Sequence, residues 1–319
     1  MGKSNLELIN EGDNFPYYQD NPSAYNNYVA NYHTFQISGF DETFGLIPNS
    51  VVDKFPWLKT HWEINRESRT VTLLAPKNST EVERSKIIAD SMDIAAKSGV
   101  FKVLLGWRNE LYPIYGPNKE VIASIERSGS ILFGIISYGV HMTAYTKDKT
   151  NGIQIWVPRR SKTKQTFPGM LDNTVAGGLA TGEQPLECLV REAMEEASLP
   201  EDIVRQNAKC CGCVTYTYVR DARAGGETGL LQPECEYIYD LLLDPATIPK
   251  PCDTEVEYFR LWSIDQVKEA LANGEFKPNC AIVLIDFFVR HGVITPENEP
   301  DYMEIIARIH RRHDFPTAG

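Results

Sequence analysis

Hydrophobic and polar positions divide the chain into two regions with different patterns. In the first, short alternating segments surround one long helical pattern, "STEVERSKIIADSMDIAAKSG", which runs from a Ser/Thr cap to Gly99. From Gly139 onward alternating segments predominate, and "VHMTAYT" and "IQIWVPRRS" are joined by the polar turn "KDKTNG", which is typical of paired strands. We therefore predict a smaller N-terminal α+β domain over residues 1–125 and a second domain over residues 126–319.

The second region combines strand patterns with helical ones. "CVTYTYVRD", "CEYIYDLLL" and "EYFRLWS" alternate like strands, whereas "IDQVKEALANG" and "CAIVLIDFFVRHG" read as helices that end at glycine. Strands on both sides of a central helix, followed by closing helices, predict an α/β/α sandwich around a mixed sheet. Residues 1–30 are rich in Asn, Tyr and Pro, and we expect partial disorder at their start.

The central helical pattern is strongly acidic on one side. Its apolar stripe consists of Leu186, Leu189, Val190, Ala193 and Ala197. The other side carries Glu192, Glu195 and Glu196, called the helix glutamates below, and Pro185 suits the first turn. Because like charges four residues apart destabilise a helix, a bound cation such as Mg²⁺ would offset the repulsion. The ordinary alternative is a solvated surface helix.

A double-glycine segment, "VAGGLATGE", precedes this helix and predicts a strand end followed by a loop that approaches a ligand closely. Counted from Gly177, five residues precede Glu183, seven more precede the pair Arg191 and Glu192, and two more precede the pair Glu195 and Glu196. This spacing resembles the Nudix box, the signature of the Nudix hydrolase family. Two positions depart from that pattern, Ala193 in place of a bulky aliphatic residue and Ser198 in place of glycine, and all charged positions are present.

Segments outside the box extend the resemblance over about residues 35–292. "GWRNELYPIY", "ERSGSILFGIISYGVHMTAY" and "FKPNCAIVLIDFFVRHG" resemble a eukaryotic Nudix subgroup that has its own N-terminal domain and is related to sequences fused to thiamine pyrophosphokinase. The resemblance implies the Nudix α/β/α sandwich and hydrolysis of oxidised thiamine diphosphate to the monophosphate. Two alternatives stay open: another substrate, either a nucleoside diphosphate derivative or an isoprenyl diphosphate, and a Nudix module that only binds.

The resemblance also implies a metal site. Mg²⁺, or alternatively Mn²⁺, would be held by the helix glutamates and the Gly177 carbonyl, with Gly178 in support. Arg191 would pair with Glu183 and orient the carboxylates. A plain helix pair between Arg191 and Glu187 is the alternative.

The general base is less defined by the sequence. Glu192 or Glu195 within the box is one candidate, and Glu255, in the loop "DTEVEYF" before a strand, is another. An ordinary surface carboxylate is an equal alternative for Glu255. We expect His141 to be a satisfied histidine rather than an acid.

Substrate phosphates require positive charge. Candidates are the four cations of "RRSKTK", namely Arg159, Arg160, Lys162 and Lys164. Arginine suits bidentate phosphate contacts, and a solvated basic turn is the alternative. Trp107, Trp156 and Tyr138 could stack on a ring, although core packing is the commoner role of such residues.

Composition limits the classes of partner that the protein is expected to bind. The 319 residues carry a net charge of −11 and have a pI near 5.1, which argues against nucleic acid as a partner. No signal peptide and no apolar run of about 18 residues is recognisable, so we expect a cytoplasmic protein with no membrane partner and an open oligomeric state. The cluster Cys210, Cys211 and Cys213 has no second ligand pair, so we expect buried thiols rather than a zinc site.

Overall fold

The computed structural model describes residues 2–252 and 254–319 of the chain. The helices there are α1 (Asn5–Gly12), α2 (Pro22–Val29), α3 (Asn49–Val52), α4 (Glu81–Ser98), α5 (Arg127–Phe133), α6 (Pro185–Ala197), α7 (Glu201–Asn207), α8 (Ile264–Ala272), α9 (Pro278–Arg290) and α10 (Tyr302–Arg308). The strands are β1 (Tyr32–Ile37), β2 (Gly45–Pro48), β3 (Trp62–Asn65), β4 (Thr70–Leu73), β5 (Leu111–Tyr115), β6 (Val121–Glu126), β7 (Ser137–Asp148), β8 (Gly152–Arg160), β9 (Val175–Gly178), β10 (Ala208–Val219), β11 (Leu231–Leu242) and β12 (Val256–Ser263).

A four-stranded sheet with the order β2-β1-β4-β3 forms the first part of the fold. β1 runs antiparallel to β2 and parallel to β4, and β3 and β4 form a hairpin. The predicted long helix is α4, which begins after a capping box at Thr80 and ends at Gly99 in the left-handed conformation. Ile88 and Met92 of α4 are fully buried in one apolar core with Phe35 of β1.

The second sheet has the order β10-β11-β7-β8-β12, and β9 pairs with β7. β11 and β7 run parallel while the other pairs are antiparallel, so the sheet is mixed. α6 covers one face, where Leu189 and Ala193 share a core with Val140 of β7. α9 covers the other face, where Ile282 shares a core with Ile238 of β11. The predicted α/β/α sandwich around a mixed sheet is therefore confirmed.

Strand register places three residues in a row across this sheet. Glu236 of β11 lies opposite Gly139 of β7, and Gly139 lies opposite Gly178 of β9. Side chains of directly opposite residues share one face of a sheet. The row therefore links the middle of the sheet to the strand that leads into α6.

The start of the chain packs against the second sheet's helices. α1 begins after a capping box at Ser4, and its Leu8 and Ile9 are buried in the same core as α9. The expectation of partial disorder in this segment is wrong, because two apolar residues on one side of a short helix find a partner that is distant in sequence. The domain boundary near residue 125 stays a prediction.

The cysteine cluster lies on β10, which is an edge strand of the second sheet. Cys210 and Cys213 are exposed and Cys211 is half-buried, so the expectation of buried thiols is wrong for this cluster. The first half of β10 lies outside the apolar core, which this strand enters only at Val214. Within the described residues, no helix has the length and apolar character needed to cross a membrane.

Candidate functional site

α6 presents the helix glutamates because its apolar stripe is buried against the sheet. Leu189 and Ala193 are fully buried, and Pro185 occupies the first turn. The side chains of Glu192 and Glu196 are only 13% and 12% exposed, whereas that of Glu195 is 56% exposed. The helix thus holds two of the three helix glutamates at the edge of the core.

The two departures from the box pattern are accommodated locally. Ala193 is fully buried where α6 meets the sheet, so a small side chain fits there. Ser198 follows α6 in the left-handed conformation, with φ of 51°. A side chain in that conformation costs roughly 1–2 kcal/mol. The helix therefore ends as a glycine would end it, at a small cost in stability.

Gly177 of β9 allows a close approach between the sheet and α6. A Cβ atom at position 177 would lie 2.2 Å from Cγ and from Cδ of Glu192. Carbon atoms in contact are about 3.5–4.0 Å apart, so any larger residue would displace Glu192. On the same strand, the backbone N–H of Ala176 donates to Glu196 Oε2 at 3.1 Å. β9 therefore fixes the positions of two helix glutamates.

Arg191 ties the acidic side chains together. Its Nε and Nη2 donate to Glu183 Oε1 at 2.9 Å and to Glu183 Oε2 at 3.2 Å. Its Nη1 donates to Glu192 at 2.8 Å and to Glu195 at 3.3 Å. Glu187 instead pairs with Arg205. Glu192 is thus held by Arg191 while it packs against Gly177, and Glu183 keeps the guanidinium in place.

A second basic side chain, Lys164, lies between two carboxylates. Its ammonium group is 3.7 Å from Glu196 Oε1 and contacts Glu255, and Arg108 lies 3.8 Å from Glu255. Burial raises the pKa of Glu196 to about 8, because Lys164 only partly offsets the cost of charging a buried carboxyl group. Burial acts in the same direction on Glu255, but Lys164 outweighs it and holds the pKa of Glu255 below its usual range.

These groups line one cavity of about 690 Å³. Its walls include the helix glutamates, Gly177, Gly178, Arg191 and Glu255. Further basic residues on the walls are Lys102, Arg108, Arg127, Arg160, Lys164, Arg220 and Lys277. A cavity of this size suits a small-molecule ligand, and its mixture of carboxylates and cations suits a ligand that carries phosphate.

The region before the second sheet supplies part of the cavity wall. Tyr112 of β5 and Arg127 of α5 lie against Gly178, where a Cβ atom would be 3.3 Å from the Arg127 guanidinium carbon. Arg127 donates to Glu110 at 2.8 Å and lies over the Tyr112 ring. Sequence reasoning missed Arg127. Its signal was a lone arginine at the start of the otherwise apolar and small segment "RSGSILF".

The four predicted phosphate-binding cations are not grouped together. Lys164 and Arg160 line the cavity, and Arg159 and Lys162 are not among its wall residues. Arg160 is buried, contacts Asp172, and donates to the Phe167 carbonyl at 3.1 Å. Their roles in phosphate binding stay predictions, and the geometry favours Lys164.

The donor set at α6 fits a divalent cation. Glu192, Glu195, Glu196 and the Gly177 carbonyl offer only oxygen atoms, which Mg²⁺ prefers and Mn²⁺ also accepts. Across residues 2–252 and 254–319, no three His, Cys, Asp or Glu side chains already converge as a metal site. The helix glutamates instead contact Arg191 and Lys164. The buried carboxyl of Glu196, with its raised pKa, would gain from additional positive charge.

Two known domain families match the two parts of the fold separately. Residues 139–280 match the model of the NUDIX domain, and residues 21–137 match that of a domain of unknown function, DUF4743. The chain is 47% identical over 217 residues to the uncharacterized protein YJR142W of Saccharomyces cerevisiae, which covers 66% of this chain and 63% of that protein. It is 36% identical over 232 residues to the chloroplastic Nudix hydrolase 20 of Arabidopsis thaliana, which covers 72% and 59%, respectively.

Among solved structures, that of DR0079 from Deinococcus radiodurans has 21% identity and a TM-score of 0.38, covering 63% of this chain and 100% of that one. The matches to the two relatives above span 63% and 59% of the lengths of those proteins.

Proposed function

We infer, from the premise that this chain carries a Nudix domain behind a DUF4743 domain, that the protein is a pyrophosphohydrolase dependent on Mg²⁺ or Mn²⁺. We propose oxidised thiamine diphosphate as its substrate and the cytoplasm as its location. The observation that carries the proposal is the complete set of helix glutamates on the wall of a cavity that also carries basic side chains. A module that only binds ligands has no need of three carboxylates held in this way.

The reaction adds water across one P–O–P linkage, so that the diphosphate gives a monophosphate and inorganic phosphate. A bound divalent cation supplies charge neutralisation on the phosphates and activation of the attacking water. Glu192, Glu195 and Glu196 would hold the cation, with the Gly177 carbonyl. Arg191 keeps Glu192 oriented through the hydrogen bonds described above.

Proton transfer and phosphate binding fall to other residues of the cavity wall. Glu255 is the candidate general base, because it lines the cavity and is ionised at neutral pH. Lys164, which lies 3.7 Å from Glu196, and Arg127, which lies beside Gly178, would contact the phosphate oxygens. Lys164 would then exchange a carboxylate partner for a phosphate when substrate binds.

The thiamine assignment rests on the resemblance of segments outside the box. It requires that the enzyme distinguish oxidised from intact thiamine diphosphate at the thiazole ring. Oxidation of the thiazolium removes its positive charge, whereas the diphosphate is common to intact and damaged forms. An enzyme for the damaged form must therefore select by shape and hydrogen bonding at the ring. Exposed free thiols such as Cys210 and Cys213 suit a reducing compartment, which supports the cytoplasmic assignment.

The test is hydrolysis by the full chain over a panel of diphosphates with Mg²⁺ or Mn²⁺. The panel comprises oxothiamine diphosphate, thiamine diphosphate, GDP, UDP and isopentenyl diphosphate, and phosphate release is followed. We expect kcat/KM for oxothiamine diphosphate to exceed that for thiamine diphosphate by roughly 10-fold or more. A chelator should abolish all turnover.

Two matched variants connect the activity to the site. Glu196→Gln should lower kcat by roughly 10²-fold or more, since it removes a charged ligand. Glu187 lies on the same helix and pairs with Arg205 outside the cavity, so Glu187→Gln should retain activity. Equal rates for the two thiamine forms would refute damage clearance, and no turnover of any compound would refute the hydrolase itself.

A further inference from the structure

One wall of the cavity is formed by two carboxylates on β11. Glu234 and Glu236, called the carboxylate wall below, alternate along the strand and so point to the same face. The Tyr216 hydroxyl donates to Glu236 Oε1 at 3.1 Å and contacts Glu234, and the Gln232 amide donates to Glu234 Oε1 at 2.6 Å. None of these residues belongs to the acidic helix, and the hydrolytic reaction described above does not use them.

Glu236 carries an oxygen atom that is buried and unpaired. Glu236 is 5% exposed, and its Oε2 has no hydrogen-bond partner within residues 2–252 and 254–319. Tyr216 and His141 both approach the other oxygen, Oε1, with the His141 Nε2 at 3.6 Å. Leaving a buried charged acceptor without a hydrogen bond destabilises the protein, because its lost hydration is not replaced. The free oxygen therefore indicates a donor that comes from outside the chain.

The protonation of the wall supports this interpretation. Burial acts to raise the pKa of Glu236, but the neighbouring His141 outweighs it and keeps that pKa below the usual range. Burial, reinforced by Glu236, raises the pKa of Glu234. The carboxylate with the free oxygen is therefore the one that stays ionised. His141 is buried rather than half-buried, and its Nδ1 donates to Asn173 Oδ1 at 2.7 Å, so its side chain is satisfied.

The free oxygen lies beside the same glycine row that leads to α6. Gly139, which also lines the cavity, has no side chain, and a Cβ atom there would collide with Glu236 Oε2. Across the row, Glu236 and Gly178 are separated by two strand spacings of about 4.8 Å each. The carboxylate wall and the helix glutamates line the same cavity, so one small molecule can contact the wall with its ring while its phosphates reach the helix glutamates.

We propose that the carboxylate wall binds the ring of the substrate, and that this ring is an amino-substituted nitrogen heterocycle with adjacent N–H donors. The proposal rests on the proposed function in that the diphosphate of the same molecule lies at the helix glutamates. Asn279 and Lys277, near the start of α9, line the same cavity and complete the polar surroundings of the ring.

The chemistry of a carboxylate selects this class of ring. An ionised carboxylate only accepts hydrogen bonds, and it pairs best with two parallel N–H groups. A guanine presents such a pair, and so does an aminopyrimidine that is protonated on the ring nitrogen next to its amino group. Uracil presents a single N–H between two acceptors, so pairing with Glu236 brings a carbonyl oxygen against a carboxylate oxygen. An isoprenyl chain presents no donor and would leave Glu236 Oε2 buried and unpaired, a penalty that can reach roughly 10⁴-fold in discrimination.

The experiment measures binding separately from turnover. Calorimetry with Ca²⁺ in place of Mg²⁺ gives the affinity of the full chain for thiamine diphosphate, GDP, UDP and isopentenyl diphosphate. We expect thiamine diphosphate or GDP to bind at least about 100-fold more tightly than the other two. Whichever of the two binds more tightly identifies the ring as pyrimidine or purine.

Variants assign the preference to the wall. Glu236→Gln keeps the shape of the side chain and should reduce the preference to within a few-fold, while binding of isopentenyl diphosphate stays unchanged. Glu234→Gln is the second variant, and it should also weaken the preference. It takes the place of Glu236→Gln if that variant does not fold. Asp286→Asn removes a similarly buried carboxylate on α9 outside the cavity and should retain the preference.

The outcomes separate this proposal from the proposed function. Equal binding of the four compounds by the unmodified protein, or an unchanged preference in Glu236→Gln, overturns the ring site. A clear ring preference supports the ring site even when none of the compounds is hydrolysed, a result that would count against the hydrolase alone. Hydrolysis without ring preference would support the hydrolase and refute the carboxylate wall.

Discussion

Replacing Gly177 by alanine should disable the site with little effect on the rest of the fold. The new Cβ atom would lie 2.2 Å from Cγ and Cδ of Glu192. Because contact between carbon atoms begins at about 3.5 Å, the Glu192 side chain must move by roughly 1 Å or more. Arg191 donates to the Glu192 carboxylate at 2.8 Å, so the displacement also disturbs that hydrogen bond.

The magnitude follows from this displacement. A shift of about 1 Å in a group that positions the reaction can cost about 10²-fold in rate. Overpacking by one methyl group costs about 1–3 kcal/mol of stability, which a domain of ordinary stability tolerates. We therefore expect Gly177→Ala to fold and to lower kcat/KM by roughly 10²-fold.

The assay is phosphate release from the best diphosphate of the panel, with thermal unfolding measured in parallel. A double-mutant cycle with Glu192→Ala supplies the control. If Gly177→Ala acts through Glu192, it should add almost nothing once that side chain is removed. Turnover of Gly177→Ala close to that of the unmodified protein, or a full additional loss in the Glu192→Ala background, would refute the reasoning.

Three further predictions follow from the structure. Glu195→Gln should lower kcat by roughly 10²-fold at saturating Mg²⁺ and leave the unfolding temperature unchanged, because this side chain is largely exposed. Ser198→Gly should raise the free energy of unfolding by about 0.5–1 kcal/mol in urea titrations, because it relieves the left-handed conformation after α6. Asp240→Asn should lower the free energy of unfolding at pH 7 by about 2 kcal/mol. Burial opposes ionisation of Asp240, but hydrogen bonds from His291 and Arg290 hold its pKa below the usual range. Its contribution is therefore present at neutral pH and lost as the pH falls through that lowered pKa, so urea titrations should show the difference shrinking below about pH 4.

The parts of the site that the sequence could predict are those set by local spacing. Residues three and four apart on a helix share a face, so the positions of Glu192 and Glu196 on α6 follow from the sequence alone. The same holds for the strand–loop–helix order around Gly177, because a small residue before a loop implies a close approach.

The parts that the sequence could not predict depend on contacts between distant segments. Arg127 reaches Gly178 only because α5 packs beside β9, and no periodicity encodes that contact. Glu234 and Glu236 did leave a signal, since two acidic residues occupy alternate positions on a strand whose same face carries the buried Ile238. Charged residues on the buried side of a strand indicate a site, because burial without a partner is costly. The cavity that they share with α6 and Arg127 could not be predicted, because these segments are far apart in the sequence.

The two parts of the chain are coupled more closely than a division near residue 125 suggests. α1 precedes the first sheet in sequence, yet its Leu8 and Ile9 are buried in the core around α9. Full burial of two such side chains is worth about 3–6 kcal/mol as an upper estimate, which is comparable with the whole stability of a domain. In the opposite direction, residues 102–112 contribute to the wall of the cavity. The first region therefore stabilises the second through α1 and completes its cavity through Tyr112, which lies beside Arg127. A substrate held between the helix glutamates and the carboxylate wall would contact both regions, so its binding should favour the state in which the two are folded together.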